Sequence, residues 1–274
     1  MENKVVAVLL ILGIVTSFSI GLVSSPFLGR DLSLPSAPSS ERQIRMFELP
    51  EAVQLRQNVT IDDFYHRSTL NPENAIPYYT TATTGNSSAS IFIGPGRTSL
   101  SLKTGAVAGD SVDVRMSELL VERNKTGLNE FRTKVNTAVL FSPTMGNDVK
   151  GFVGLLLASN TALTSLPGKA GHMGISWDTS VSPNFFFTWS NGITQETSDT
   201  HIPIEATFDY QINIFWYDEN KATLKLLART GTSVANQEVT DLRNMDTGML
   251  HYYLQTNADV VREMRVIHVR FSAT

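Results

Sequence analysis

The segment Phe208–Arg229 constrains the fold more than any other part of the chain. From Tyr210 to Tyr217 it reads YQINIFWY, in which apolar side chains alternate with a second row of residues. A period of two is typical of an antiparallel strand with one face in a core. The polar turn Asp218–Asn220 and an alternating run, Ala222–Ala228, come next. The segment is therefore predicted to be a β-hairpin.

Short alternating runs recur along the rest of the chain between turn sequences rich in Gly, Pro, Asn and Asp. Strands are predicted near Tyr78–Ala82, Ala89–Ile93, Ser99–Lys103, Ser111–Arg115, Asn129–Asn136, Gly151–Ala158, His172–Trp177, Asn184–Trp189, Leu250–Thr256 and Arg262–Ser272. No helical periodicity competes with them after the N-terminal segment. The pattern predicts an all-β fold, a two-sheet antiparallel jelly-roll sandwich over residues 58–274.

Residues 1–29 form a separate apolar segment. Val5–Val23 carries no charge, and as a helix it is about 28 Å long, close to the hydrocarbon thickness of a bilayer. It fits a signal peptide, with Ser19-Ile20-Gly21 as a cleavage site, and equally a retained transmembrane anchor. Residues 30–57 begin with a Ser/Pro-rich stretch containing Pro35 and Pro38, which is typical of a linker.

Composition excludes several classes of function. The net charge is −4 with 18% charged residues, so no basic footprint for nucleic acid is expected. The chain has no cysteine, which excludes disulfides, thiolate metal sites and a cysteine nucleophile.

Several segments, in this order, resemble the concanavalin A-like lectin/glucanase family, in the laminin-G-like form found on phage and viral structural proteins. The segments are Ile61–Phe64, Leu100–Ala106, Asn129–Val135, Val153–Leu155, Tyr210–Trp216, Ala222–Leu226 and Met264–Phe271. The resemblance covers about residues 61–274 and concerns strand order and alternation. It implies a two-sheet jelly roll that binds sugars or contacts other subunits of a particle.

The catalytic carboxylates of the glucanases in this family are absent. Their E-x-D-x-x-E strand aims all three acids into one cleft, but no such sequence occurs here. The nearest run, Glu238–Asp241, has the wrong spacing, while Asp113, Glu118 and Glu122 are only close in sequence. We therefore predict no catalytic residues and a protein that is not an enzyme.

No cofactor or metal ligand set is predicted. The histidines, His66, His172, His201, His251 and His268, lack the short spacings of a metal motif. Calcium is the one cation left open, through turn residues such as Asp148, Asp178 and Asp241.

Aromatic side chains are the best candidates for contact with sugars, because a flat ring stacks on the apolar face of a pyranose. Trp189, Phe215, Tyr217 and Tyr252 are predicted ligand-binding residues. If Ile212 and Ile214 face the core, Phe215 and Tyr217 belong to the opposite face. That face is either a ligand platform or a surface covered by a neighbouring sheet or subunit. For each aromatic residue the alternative is a place in the core.

Asn58, Asn86 and Asn124 each begin an N-x-[ST] sequence and are potential glycosylation sites in a secreted protein.

Together these features predict a non-catalytic attachment or structural protein, extracellular, on the cell surface or on a virion, and possibly membrane-anchored. Its predicted partners are glycans or neighbouring subunits, with assembly as a homo-oligomer. One alternative is a secreted polysaccharide hydrolase or lyase with an atypical active site. Another is a capsid or filament subunit without affinity for sugars.

Overall fold

The computed structural model describes residues 58–62, 64, 69–70, 79–95, 97–116, 121–122, 135–143, 148–156, 162–205, 209–218, 220–228, 234–242 and 247–273. The N-terminal apolar segment and the linker lie outside these residues. Within the described ranges, no helix is long and apolar enough to cross a membrane. All regular elements there are β-strands.

The strands, in chain order, are β1 (Asn58–Asp62), β2 (Tyr79–Thr83), β3 (Ser88–Gly94), β4 (Arg97–Lys103), β5 (Ser111–Met116), β6 (Val121–Glu122), β7 (Val135–Ser142), β8 (Val149–Leu156), β9 (His172–Asp178), β10 (Asn184–Ser190), β11 (Gln195–Pro203), β12 (Tyr210–Asp218), β13 (Lys221–Ala228), β14 (Val234–Thr240), β15 (Thr247–Thr256) and β16 (Glu263–Ala273).

These strands form two antiparallel sheets of eight strands each. Sheet A has the order β14-β13-β12-β7-β16-β4-β3, and β1 pairs with the second half of β16. Sheet B has the order β11-β10-β9-β8-β15-β5-β2, and β6 pairs with the start of β15. The predicted all-β, two-sheet jelly-roll sandwich is confirmed.

The predicted hairpin is β12 and β13, paired from Tyr210↔Ala228 to Trp216↔Ala222. Its inward row, which includes Ile212 and Ile214, is fully buried against sheet B. Along β13 the burial alternates strictly between buried and partly exposed residues. Sheet A thus buries one face of this hairpin and leaves the other to solvent, as the period of two predicts.

Sheet B is buried on both faces at its centre. Six consecutive residues, Gly151–Leu156, are buried on β8, and four, His172–Ile175, are buried on β9. A continuous buried run means that side chains pointing away from sheet A are covered as well. The core cluster between the sheets excludes Phe152 and Tyr253, although both are buried. They pack on the outer face of sheet B.

Aromatic rings join the two sheets. Phe141 and Tyr210 come from sheet A, and Trp177 and Phe185 from sheet B. The closest ring centroids, those of Phe185 and Tyr210, are 4.7 Å apart with an edge-on angle of 64°. The Tyr210 hydroxyl donates to the Pro203 carbonyl at 2.7 Å, which satisfies its polar end inside the core.

Most predicted strands agree with the structure to within a few residues, and the main differences involve polar or short strands. β7 begins at Val135, so the prediction of Asn129–Asn136 captures only its start, and residues 123–134 lie outside the described part. β1, β6, β11 and β14 were not predicted. β11 reads QETSDTHIP and β14 reads VANQEVT. Each is the last strand at one end of its sheet among the described strands, and a strand in that position needs few apolar residues.

The pair Gly154 and Gly174 provides a test of sheet B. A Cβ on Gly174 would lie 2.4 Å from the Val153 carbonyl oxygen and 2.7 Å from the Gly154 Cα, both backbone atoms. We expect Gly174→Ala to lower the free energy of unfolding by about 1–3 kcal/mol. That corresponds to a fall in Tm of about 5 °C for a domain of this size, measured by thermal melting.

Gly168→Ala is the matched control, because a Cβ there meets no atom within 4 Å. Its free energy of unfolding should change by no more than about 0.5 kcal/mol. Equal melting temperatures for the two variants would contradict the close approach of β8 and β9.

Candidate functional site

Sheet A carries a groove on its solvent-facing side. It encloses about 410 Å³ and is formed by side chains from β7, β12, β13 and β16. Its lining residues are Asn136, Ala138, Gln211, Asn213, Phe215, Thr223, Lys225 and Arg270. These belong to the outward rows of the strands, as their register requires. The small side chain of Ala138 lies between larger ones and leaves room for the groove floor.

The groove combines an aromatic surface with amide groups. Phe215 is 41% exposed, and its ring stacks on that of Tyr217 with centroids 5.4 Å apart and planes at 26°. Beside it, the Gln211 amide donates to the Asn213 side-chain oxygen at 2.7 Å. This pair leaves further amide donors and acceptors for a ligand. An aromatic ring beside amides suits a sugar, which has apolar ring faces and hydroxyl edges.

The outer face of sheet B carries a different group of residues, which is buried and polar. Asp113 on β5 accepts a hydrogen bond from Nδ1 of His251 on β15 at 3.1 Å. The Arg115 guanidinium lies 3.8 Å from the same carboxylate. Asp113 and His251 are 0% and 2% exposed. The Asp113 carboxylate thus orients the His251 ring as in an acid–base dyad.

His172 occupies the same face, on β9, and its tautomer follows from its partners. Nδ1 lies 2.6 Å from the Ala170 carbonyl, which can only accept, so Nδ1 carries the proton. Nε2 then accepts from the Thr188 hydroxyl at 2.8 Å. Burial lowers the pKa of His172 to about 4, against an opposing effect of the Ala170 hydrogen bond. The imidazole is therefore neutral at neutral pH.

The loop 162–171 lies against this face and holds it closed. The Leu163 N–H donates to Asp113 at 3.0 Å, and Ser190 Oγ donates to the Lys169 carbonyl at 3.0 Å. The Gln195 amide donates to the Pro167 carbonyl, also at 3.0 Å. These hydrogen bonds satisfy buried polar groups. Moving the loop away would expose those groups or leave them without a hydrogen-bond partner, which costs free energy.

At the centre of this face β8 and β9 each carry a glycine, and the Phe152 ring lies over one of them, where a Cβ on Gly154 would be 2.8 Å from Phe152 Cζ. Gly154 and Gly174 are paired across β8 and β9, in the same register row as His251 and Thr188. Tyr253 lies one row away, and burial raises its pKa to about 12, so its hydroxyl stays protonated. His251 lies in the row of the paired glycines with Arg115 opposite it, and the Tyr253 hydroxyl donates to Gln255 Oε1 at 3.1 Å. The arrangement lacks the second carboxylate that a glycosidase requires.

The structure separates the four predicted ligand-binding aromatics. Phe215 lies in the groove of sheet A, and Tyr217 stacks beside it. Trp189 and Tyr252 belong instead to the core cluster, at 8% and 0% exposure. Their selection as ligand-binding residues is corrected, because both side chains point from sheet B towards sheet A. For these two the core alternative holds.

The other predicted positions are dispersed. Asn86 is exposed in the turn between β2 and β3, Asn124 lies outside the described residues, and Asn58 is the first residue of β1. Exposure of Asn86 is compatible with glycosylation, which stays a prediction.

The hydrogen-bonded pair Asp113 and His251 was not predicted from the sequence, because the two residues are distant in the chain and only the β5–β15 pairing brings them together.

Across the described ranges, no group of three or more His, Asp or Glu side chains is placed to hold a metal ion. Asp148 pairs with Arg262 at 2.9 Å and Asp178 with Lys150 at 3.3 Å. These two carboxylates therefore serve ion pairs in the structure. Calcium binding stays a prediction.

No protein-family model matches the chain, and no curated protein sequence matches it. Solved structures do. The winged bean acidic lectin complexed with methyl-alpha-D-galactose has 11% identity and a TM-score of 0.56, covering 80% of this chain and 98% of the lectin. SCLam, a non-specific endo-beta-1,3(4)-glucanase from family GH16, has 12% identity and a TM-score of 0.50, covering 79% and 91%.

A protein of unknown function from Shewanella oneidensis MR-1 is similar as well, with 13% identity, a TM-score of 0.53 and coverage of 79% of this chain and 86% of that one. The identities are low, so these similarities concern the fold. The chain has the concanavalin A-like jelly-roll fold shared by legume lectins and GH16 glucanases. Since those relatives in fold include lectins and enzymes, the fold does not decide between binding and catalysis.

The low pKa of His172 makes stability depend on pH. Its pKa is about 4 in the folded protein and about 6.5 when unfolded, so the unfolded state binds the proton more readily. This contribution is fully present above pH 6.5 and is lost as pH falls towards 4. Between pH 7 and pH 4, we expect the free energy of unfolding to fall by about 2–3 kcal/mol more in the wild type than in His172→Gln.

Denaturant titration at each pH measures this difference. His201→Asn is the control, because His201 is 86% exposed and its φ of 55° is one that asparagine adopts readily. It should keep the wild-type pH dependence. An unchanged pH dependence in His172→Gln would show that the loop does not bury this imidazole.

Proposed function

We propose that the chain is a non-catalytic attachment protein, presented outside the cell or on a virion, which binds glycans through the groove of sheet A. The observation that carries the proposal is the contrast between the two outer faces. The face of sheet A exposes a groove with an aromatic surface and side-chain amide groups. The corresponding face of sheet B is covered by the loop 162–171.

The groove has the chemistry of a sugar-binding surface. Phe215 offers a ring face to the C–H groups of a pyranose, while Gln211, Asn213 and Asn136 offer amide donors and acceptors to its hydroxyls. Its lining contains no carboxylate and no histidine. Two carboxylates are needed for the usual glycoside hydrolysis, so this groove supports binding without cleavage.

The placement outside the cell rests on the N-terminal sequence. A signal peptide or anchor in residues 1–29 followed by the linker at 30–57 would present the sandwich at a distance from a membrane or particle surface. The lectin structures in the comparison support the sugar-binding part of the proposal. Contacts with neighbouring subunits are the competing use of the same face.

We also propose assembly as a homo-oligomer through the strand edges. Among the described strands β3 ends sheet A, and it exposes Ile93 at 69%. An exposed apolar edge strand tends to pair with another chain. Light scattering on residues 55–274, the compact unit that contains the core, should show a concentration-dependent oligomer. Ile93→Lys should weaken it, and a wild-type monomer at every concentration would contradict the proposal.

The dyad on sheet B favours a second candidate, a polysaccharide lyase. With the loop displaced, Nε2 of His251 could take the proton from the carbon that bears the carboxylate of a uronate. Arg115 would neutralise that carboxylate. The C–O bond to the neighbouring sugar would break as a C=C bond forms, and the Tyr253 hydroxyl would protonate the leaving oxygen. The closed loop argues against this candidate, because the base has no open path to a polymer in this structure.

Glycan binding by Phe215→Ala tests the first proposal. On a glycan array we expect the wild type to bind one class of glycan. The Ala variant should lose about 1–2 kcal/mol of binding free energy, about tenfold in Kd, because stacking area is removed. Phe215→Trp keeps a flat ring at the same place and should retain binding.

Absence of any glycan binding would favour a structural subunit held by protein contacts. Binding that survives in Phe215→Ala would place the site elsewhere. The bound polymer is also incubated with the protein. If unsaturated products that absorb ultraviolet light accumulate, and His251→Ala abolishes them, the lyase function replaces the first proposal.

A further inference from the structure

Two cations lie at opposite ends of one register row across the groove. Lys225 on β13 pairs with Asn213 on β12, Asn213 with Ala138 on β7, and Ala138 with Arg270 on β16. Adjacent strands are about 4.8 Å apart, so three spacings separate the two backbones by roughly 14 Å. The amide of Asn213 and the floor at Ala138 lie between the two charges.

Neither cation forms an ion pair with a described residue. Other basic residues do, since Arg97 pairs with Asp209 at 3.0 Å, Arg262 with Asp148 at 2.9 Å and Arg265 with Glu263 at 2.8 Å. The sandwich thus pairs several of its guanidinium groups with its own carboxylates. Lys225 and Arg270 keep their full charge for a ligand.

The groove is therefore a local positive site on an acidic chain. The net charge of the chain is −4, yet the groove lining contains two cations and no carboxylate. The register places the outward carboxylate of Glu238 on β14, opposite Thr223. That residue is one row away from Lys225 and four strands away from Arg270, so the row between the two cations stays positive.

We infer that the groove takes an acidic glycan, a polymer whose carboxylate or sulfate groups contact Lys225 and Arg270 while a sugar ring rests on Phe215. This inference rests on the proposed function and specifies its ligand class. Ammonium and guanidinium groups both form charge-assisted hydrogen bonds with such anions. The side-chain amides between the two cations would hydrogen-bond the hydroxyl groups of the sugar units that lie between two acidic groups of the polymer.

The test measures binding of the purified full-length chain to dextran, dextran sulfate and carboxymethyl dextran of equal length. We expect binding to one or both charged polymers and at least tenfold weaker binding to dextran. Lys225→Gln and Arg270→Gln should each weaken the binding about fivefold, and the double variant about 25-fold. The sulfated and carboxylated polymers show which acidic group the groove prefers.

Lys169→Gln is the matched control, because it removes one exposed positive charge from the loop on sheet B. It should bind like the wild type. Phe215→Ala should also weaken binding, which separates occupation of the groove from general attraction to a polyanion. Raising the salt concentration should weaken wild-type binding more than that of the double variant.

Three results would overturn the inference. Equal binding of dextran and its charged derivatives, sensitive to Phe215→Ala, would leave the proposed function standing and remove the acidic ligand. Binding of charged polymers that is unaffected by Lys225→Gln and Arg270→Gln would place the site elsewhere. The third result has two parts: no glycan binds in a way that depends on Phe215, and an oligomer of the wild type dissociates in the double variant. It would assign the groove to a second copy of the chain and remove both proposals.

Discussion

The hydrogen bonds that hold the loop 162–171 on sheet B determine which face of the sandwich is available to a ligand. Asp113, His172 and Ser190 are buried polar residues, and each has a backbone partner in that loop. Leaving such groups without partners costs about 1–3 kcal/mol each, so the closed arrangement is favoured over an open cleft. The outer face of sheet B is consequently covered, which is why we propose sheet A as the ligand-binding face.

The central hairpin supplies both the core and the groove. On β12, Ile214 and Trp216 point into the sandwich, and Asn213 and Phe215 point outwards, because consecutive residues of a strand face opposite sides. The aromatic contacts of Tyr210 with Phe185 and Phe141 fix the strand against sheet B. A rigid strand places the outward side chains on a fixed grid, which suits recognition without a large rearrangement.

The sequence predicted those parts of the structure that follow from local alternation. The hairpin, most other strands and the outward position of Phe215 depend on a period of two, and all agree with the structure. Trp189 and Tyr252 were misplaced because an aromatic residue in a strand is equally suited to either face. The pairing of Asp113 with His251 and the closure by the loop depend on contacts distant in sequence, which periodicity does not encode.

We propose that ligands bind to sheet A and leave the face of sheet B closed. A crystal structure of the complex with an acidic oligosaccharide tests it most directly. We expect a sugar ring on Phe215, acidic groups at Lys225 and Arg270, and an intact hydrogen bond from the Leu163 N–H to Asp113. A glycan lying over Gly154 and Gly174 beside His251, with the loop 162–171 displaced, would contradict it.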